Sequence, residues 1–238
     1  VLAVGDAEFQ KKCLGKMGDV AQEGRTVLFV SHNMGAIQNL CSKSMLLSKG
    51  SIESIGNTSE VISSYLYENR QSAGEDLETC KRSGNGKLRI TGFHFESEDG
   101  RELPYAVSGE PVYFVLNFTN FALNPEDRVS FSFGIHDEKE VGISHYYSHF
   151  SNTYFSNLPT VGKVRCFIQE VNLSPGRYLL SCRAIGNGNL RTGEEFDWPQ
   201  IFVPFNIEQG DYYKVGSTML SSWGPVLIKG SWTITGIE

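Results

Sequence analysis

Three groups of residues in this 238-residue chain have the types and spacing to do chemistry. The first is Ser31-His32-Asn33, which follows the apolar run Val27 to Val30. A short apolar run with a helix signal before it and polar residues after it predicts a strand buried on both faces of a parallel sheet. In open α/β sheets, groups just beyond the carboxyl ends of strands contact ligands, and His32 would stand there. The second group is His136, His145 and His149 with Asp137, all metal ligands by type. No helix fixes their spacing, so no metal site is assigned to them. The third is Glu194, Glu195 and Asp197, and glycoside hydrolysis needs two carboxylates across the scissile bond. Acidic residues beside a Gly-rich turn are usually solvated, which makes this a minor reading.

The elements that would carry these groups change character along the chain. Phe9, Cys13, Leu14, Met17 and Val20 fall at helical spacing after Asp6, and Gly24 ends that helix. Met34, Ile37, Leu40 and Cys41 mark a second helix; residues 43–47 and 51–55 predict a hairpin about Lys49-Gly50. Val61, Ile62, Tyr65 and Leu66 mark a third helix. Residues 1–67 thus read as a truncated α/β unit, too short to be complete. Residues 68–86 lack apolar periodicity and read as a linker. Beyond it the period is two: Val112, Phe114, Leu116 and Phe118 alternate with Tyr113 and Asn117, and Val129, Phe131, Phe133 and Ile135 with Ser130 and Ser132. Turn residues at Asn124-Pro125, Pro175-Gly176 and Gly186-Asn187-Gly188 separate such strands, so residues 87–238 predict an all-β domain, a β-sandwich of jelly-roll type.

Composition narrows the function classes. A net charge of −6 argues against broad electrostatic attraction to nucleic acid. No run has the length to span a bilayer. Five cysteines without a Cys-x-x-Cys pair indicate neither a zinc site nor a disulfide framework, and reduced thiols are expected. The chain opens at Val1, as a fragment would. A phosphate-cradling GxxxxGK[ST] loop is absent from all 238 residues.

Val1-Leu-Ala-Val-Gly5-Asp6-Ala-Glu-Phe9, followed at a set distance by a strand ending Ser31-His32-Asn33, resembles the C-terminal end of an ABC-transporter nucleotide-binding domain. More narrowly it resembles the ATPase subunit of polysaccharide exporters, of the O-antigen type and its teichoic-acid relatives. The resemblance implies that Gly5 and Asp6 belong to the D-loop at the ATPase dimer interface. It makes His32 the switch histidine facing the γ-phosphate, a positioning role suited to phosphoryl transfer. It implies ATP and Mg in the intact subunit and none for this chain alone, which lacks the Walker A and signature motifs and should be inactive by itself. A transmembrane permease subunit, a homodimer and a peripheral position on the cytoplasmic face of the bacterial inner membrane are implied as well.

Ser108-Gly109-Glu110, Phe133-Gly-Ile-His-Asp137 and Leu173-Ser-Pro175-Gly176-Arg-Tyr178 resemble the β-sandwich appended to a subset of these exporters, which binds the exported glycan. A sugar site needs an aromatic platform with donors and acceptors around it. Candidate contacts are Tyr113, His136, Tyr146, Arg183 and Trp198. Residues 144–150 read as an aromatic loop, and Trp223 and Trp232 as core or subunit interface. The alternative is a dimerisation or regulatory module without sugar affinity.

Overall fold

The computed structural model describes residues 26, 28–30, 34, 37, 40–48, 50–62, 64–65, 77–189, 191–216 and 224–233. Gly5, Asp6, His32 and Trp223 lie outside them. The chain divides after Val61 into two compact units.

In the first unit, β1 (Lys43–Ser48) and β2 (Ser51–Asn57) form an antiparallel hairpin whose turn uses Gly50 at φ 83°. The Thr58 hydroxyl, after β2, donates to the Cys41 carbonyl at 2.7 Å. The fully buried strand expected at Val27 to Val30 is not realised in its described residues. Residues 28–30 are not strand, and Leu28 and Val30 are 80% and 94% exposed. A strand buried on both faces needs strands beside it and helices above and below, and the one described sheet of this unit is a two-stranded hairpin. Met45, Leu47, Ile52 and Ile55 are exposed for the same reason. The α/β character expected of residues 1–67 is therefore not established by the described residues.

The second unit is all-β. Its strands are β3 (Arg82–Ser83), β4 (Leu88–Glu96), β5 (Glu102–Leu103), β6 (Ala106–Val107), β7 (Val112–Asn120), β8 (Val129–His136), β9 (Gly142–Tyr147), β10 (Val161–Ile168), β11 (Gly176–Gly186), β12 (Glu194–Pro199) and β13 (Val203–Glu208). One sheet runs β10-β7-β4-β5; the other runs β3-β12-β11-β13-β6, with β8 on β11 and β9 on β8. Both sheets contribute to one core. From the first come Leu88, Ile90, Phe114 and Phe118; from the second Phe131, Leu180, Phe196 and Phe205. Phe95 and Phe114 meet edge to face at 4.9 Å, and burying each such side chain stabilises the fold by roughly 1.5–3 kcal/mol. The Tyr178 hydroxyl, buried, donates to the Ser174 carbonyl at 2.8 Å and closes the turn before β11.

Three expectations for this unit need correction. Residues 77–86 are not linker. Leu77 is 1% exposed within the core, β3 pairs with β12, and the backbone N–H groups of Asn85 and Gly86 donate to the carbonyls of Glu195 and Phe196. Arg82 Nη1 meets Asp197 Oδ2 at 2.6 Å, and the same oxygen accepts from the Ile90 N–H at 2.8 Å. Gly84 sits at φ 109° with the Phe196 carbonyl where a Cβ would stand, so this strap lies tight against β12. Its polar sequence hid a role carried by one apolar residue and one ion pair. The aromatic loop expected at 144–150 is in fact β9 through Tyr147 and then a 3₁₀ turn at Ser148–Ser151. Trp232, expected in the core or a subunit interface, is fully exposed, which removes only the core reading.

Candidate functional site

The outer face of β8 and β11 carries small or polar residues because the other face is spent on the core. On β8, Phe131, Phe133 and Ile135 point inward, which leaves Ser130, Ser132, Gly134 and His136 outward; on β11, Ser181 and Arg183 share the outer face. One edge of β11 changes partner. β13 pairs with Gly176 to Leu180 and β12 with Ala184 to Gly186, so residues 181–183 have no strand beside them there. The chain from β12 to β13 bows out at this gap, and a cavity of about 310 Å³ opens between Ser181-Cys182-Arg183 and residues 198–202.

A bulge in β12 furnishes its wall. Ala184 pairs with Asp197 but Ile185 with Glu195, so Phe196 is the extra residue. Phe196 is fully buried against Gly186, where any Cβ would strike its ring, and Asp197 also turns inward. Glu195 and Trp198 are left flanking Arg183, whose guanidinium lies 4.5 Å from the Trp198 ring while Nη2 pairs with Glu195. The Ser83 hydroxyl holds the other Glu195 oxygen at 2.6 Å. On the far wall, His145 stacks on Tyr147 at 5.5 Å and 17°. His136 bonds Ser181 through Nε2 at 2.8 Å and meets the Phe202 ring edge-on at 4.7 Å. Gly134 allows this arrangement, because a Cβ there would lie 2.4 Å from the His145 ring and 2.7 Å from Ser181 Oγ. Burial, and then the neighbouring His136 and Arg183, hold the His145 pKa below the ordinary imidazole value.

Three of the five sequence candidates, His136, Arg183 and Trp198, thus meet in one cavity. Tyr113 and Tyr146 do not. Tyr113 is on the outer face of the other sheet, under the Arg165 guanidinium at 3.9 Å and beside Phe167 at 4.9 Å. Tyr146 lines a separate cavity of about 230 Å³ between the sheets, with Phe133 and Cys166. Sequence reasoning reached His145 and Tyr147 only as part of the aromatic stretch 144–150, and His145 also as a metal ligand, and it gave Phe202 no role in a site. The alternation of β8 pointed outward to Gly134, but the long-range register that sets His145 opposite it left no local mark.

The rival groups come apart. His149 is held by Ser130 through Nδ1 at 2.8 Å, and Asp137 Oδ1 accepts from the N–H groups of Lys139 and Val141 in its own turn. Among the described residues, no group of three or more His, Cys, Asp or Glu is placed to hold a metal ion. Glu195 and Asp197 lie on opposite faces of β12, each already paired with an arginine, so they do not flank a common substrate.

The sequence profile of the Wzt C-terminal domain matches residues 79–220. The crystal structure of the C-terminal domain of wzt superposes with a TM-score of 0.51 at 17% identity, over 66% of this chain and 89% of that one. The teichoic acids export ATP-binding protein TagH of Bacillus anthracis is 30% identical over 104 residues, which are 42% of this chain and 19% of that protein. The O-antigen export system ATP-binding protein RfbB of Myxococcus xanthus is 37% identical over 65 residues, 27% of this chain and 15% of that protein. A protein of the same description from Klebsiella pneumoniae is 37% identical over 65 residues, 26% of its length. The matched stretches thus cover 15–26% of the lengths of these relatives.

Proposed function

Because the chain belongs to the Wzt C-terminal domain family, we propose that it is part of the ATP-binding subunit of an ABC exporter for a cell-surface polysaccharide, and that its β-sandwich binds the glycan to be exported. The observation that carries this reading is the meeting of Trp198, Arg183 and His136 in one cavity. An indole face supported by a guanidinium offers a sugar ring an apolar platform, and the side chains around it offer hydrogen bonds to hydroxyls. In this reading residues 1–67 are the end of the nucleotide-binding domain, with Gly5 and Asp6 in its D-loop and His32 as its switch histidine. The binding domain begins at the strap that starts with Leu77. No loop of this sequence fits the phosphates of ATP, so nucleotide binding and hydrolysis with Mg belong to the intact subunit. A permease subunit and a peripheral place at the inner membrane follow from the same assignment. Among the described residues, no helix is long and apolar enough to cross a membrane.

Calorimetric titration of the chain with the producing organism's surface polysaccharide tests the reading. Saturable binding, lost in Trp198→Ala without loss of fold, is expected. A stable dimer that binds no glycan would replace it with the dimerisation alternative.

A further inference from the structure

The polar lining of the cavity is one-sided. Arg183, His136, His145, Ser181, Tyr147 and Gln200 line it, and among the described residues no aspartate or glutamate does. The nearest carboxylates are already paired: Glu195, at the edge of the cavity, with Arg183 Nη2 and the Ser83 hydroxyl, and Asp197 in the core with Arg82. Two nitrogens on the lining residues, Nε of Arg183 and Nδ1 of His136, are shielded from water and have no hydrogen-bond partner. An arginine Nε can only donate. When the Ser181 hydroxyl donates to His136 Nε2, the proton of the ring sits on Nδ1, and that nitrogen donates as well. A shielded donor without an acceptor carries an uncompensated desolvation cost, and an acceptor in the cavity would relieve it only with a shift of these side chains.

We propose, resting on the glycan reading above, that the sugar held here is anionic, with a carboxylate or phosphate group set between Arg183 and the His136–His145 pair and its ring against Trp198. The electrostatics agree with the geometry. His145 is disfavoured as a cation by burial and by the adjacent His136 and Arg183. The groups that face it are these two basic residues and Tyr147, none of them a carboxylate. An anion placed among them offsets that repulsion and favours protonation of His145. Binding then takes up protons, and affinity rises as pH falls from 8 to 6. A neutral sugar has no such dependence.

The test titrates the full chain, by NMR or calorimetry, with methyl glucuronide, glucose 6-phosphate and methyl glucoside. Tighter binding of at least one anionic sugar than of methyl glucoside is expected, and the first two compounds separate carboxylate from phosphate. Arg183→Gln should weaken the preferred anion by about 10- to 100-fold, the size of a lost charge-assisted hydrogen bond. It should weaken methyl glucoside less than it weakens the anion. Equal affinity for all three sugars overturns the inference and leaves the glycan reading standing. Absence of binding by either anion also overturns it, and the result with methyl glucoside then decides the glycan reading separately. The comparison among sugars uses the native chain, so it holds even if the variant fails to fold.

Discussion

Replacing Arg82 by alanine tests the strap that residues 77–86 lay across β12. The side chains of Arg82 and Asp197 are 12% and 2% exposed, and their 2.6 Å contact is joined by the Ile90 N–H on the same carboxylate oxygen. Arg82 also donates to the carbonyls of Leu77 and Ile90, so one guanidinium ties the strap, β4 and β12 together. An exposed pair would contribute 0–1 kcal/mol by the usual order of magnitude, roughly. Removing one partner of a buried pair leaves an uncompensated charge and costs about 3–5 kcal/mol. Against a net stability of roughly 5–15 kcal/mol, that is a large fraction. For a chain of this size, about 2–4 °C of melting temperature is lost per kcal/mol, so Arg82→Ala should melt roughly 6–20 °C lower. The assay is a circular-dichroism melt at pH 7. The double variant Arg82→Met with Asp197→Leu should recover most of the loss, because well-packed apolar residues replace such pairs at little cost. A melting temperature for Arg82→Ala within about 3 °C of the parent would refute the argument from the general cost of breaking a buried pair.

Three further outcomes follow from the same packing. Gly134→Ala must move the His145 ring by about 1 Å to reach ordinary contact. It should therefore abolish sugar binding at a stability cost near the low end of the roughly 1–3 kcal/mol typical of overpacking, as read by paired melts and titrations. Unchanged affinity would show that His145 lies outside the site. Burial works to raise the Glu96 pKa, but hydrogen bonds and charges from Lys163 and His94 outweigh it and hold the carboxylate below its ordinary value. Its contribution is present above the unfolded glutamate pKa and lost as pH falls through the lower folded value, so Lys163→Met, which lifts the folded value, should be less stable than the parent at pH 7 and lose less stability than the parent in acid melts. An identical acid limb in the two proteins would contradict this. Burial, with a further push from Asp197, raises the Cys182 pKa strongly. Iodoacetamide followed by mass spectrometry should leave Cys182 unmodified in the folded chain while the half-buried Cys80 reacts, and equal labelling would place Cys182 outside the core.

What was legible in the sequence follows the range of each interaction. The alternation of β7 and β8 declares itself over a few residues, because one face of each strand must be buried, and it assigned Phe114, Leu116, Phe131 and Phe133 inward without ambiguity. Val115 breaks that rule. It points outward by register yet is fully buried, since His94 and Arg165 lie across from it on either side. The strap was misread for a related reason. Leu77 and Arg82 find their partners more than a hundred residues away or in the common core, and nothing in Ser83-Gly84-Asn85-Gly86 distinguishes a strap from a linker. The site was half legible. His136 and Arg183 follow from the outward phase of their strands, and Trp198 from its polar neighbours near a strand end. The Phe196 bulge and the change of partner along β11, which bring them together, are properties of strand pairing that no local pattern records.

The central claim is that the cavity beside Arg183 and Trp198 holds the glycan, and mapping the site directly tests it. In the amide spectrum of the nitrogen-15-labelled chain, the organism's polysaccharide should shift the Trp198 indole N–H and the amides of Ser181, Arg183 and residues 200–202 along one saturable curve, while the fully exposed Trp232 indole stays still. Saturable shifts confined to Tyr113 and Phe167 on the opposite sheet, or none at any concentration, would contradict the account.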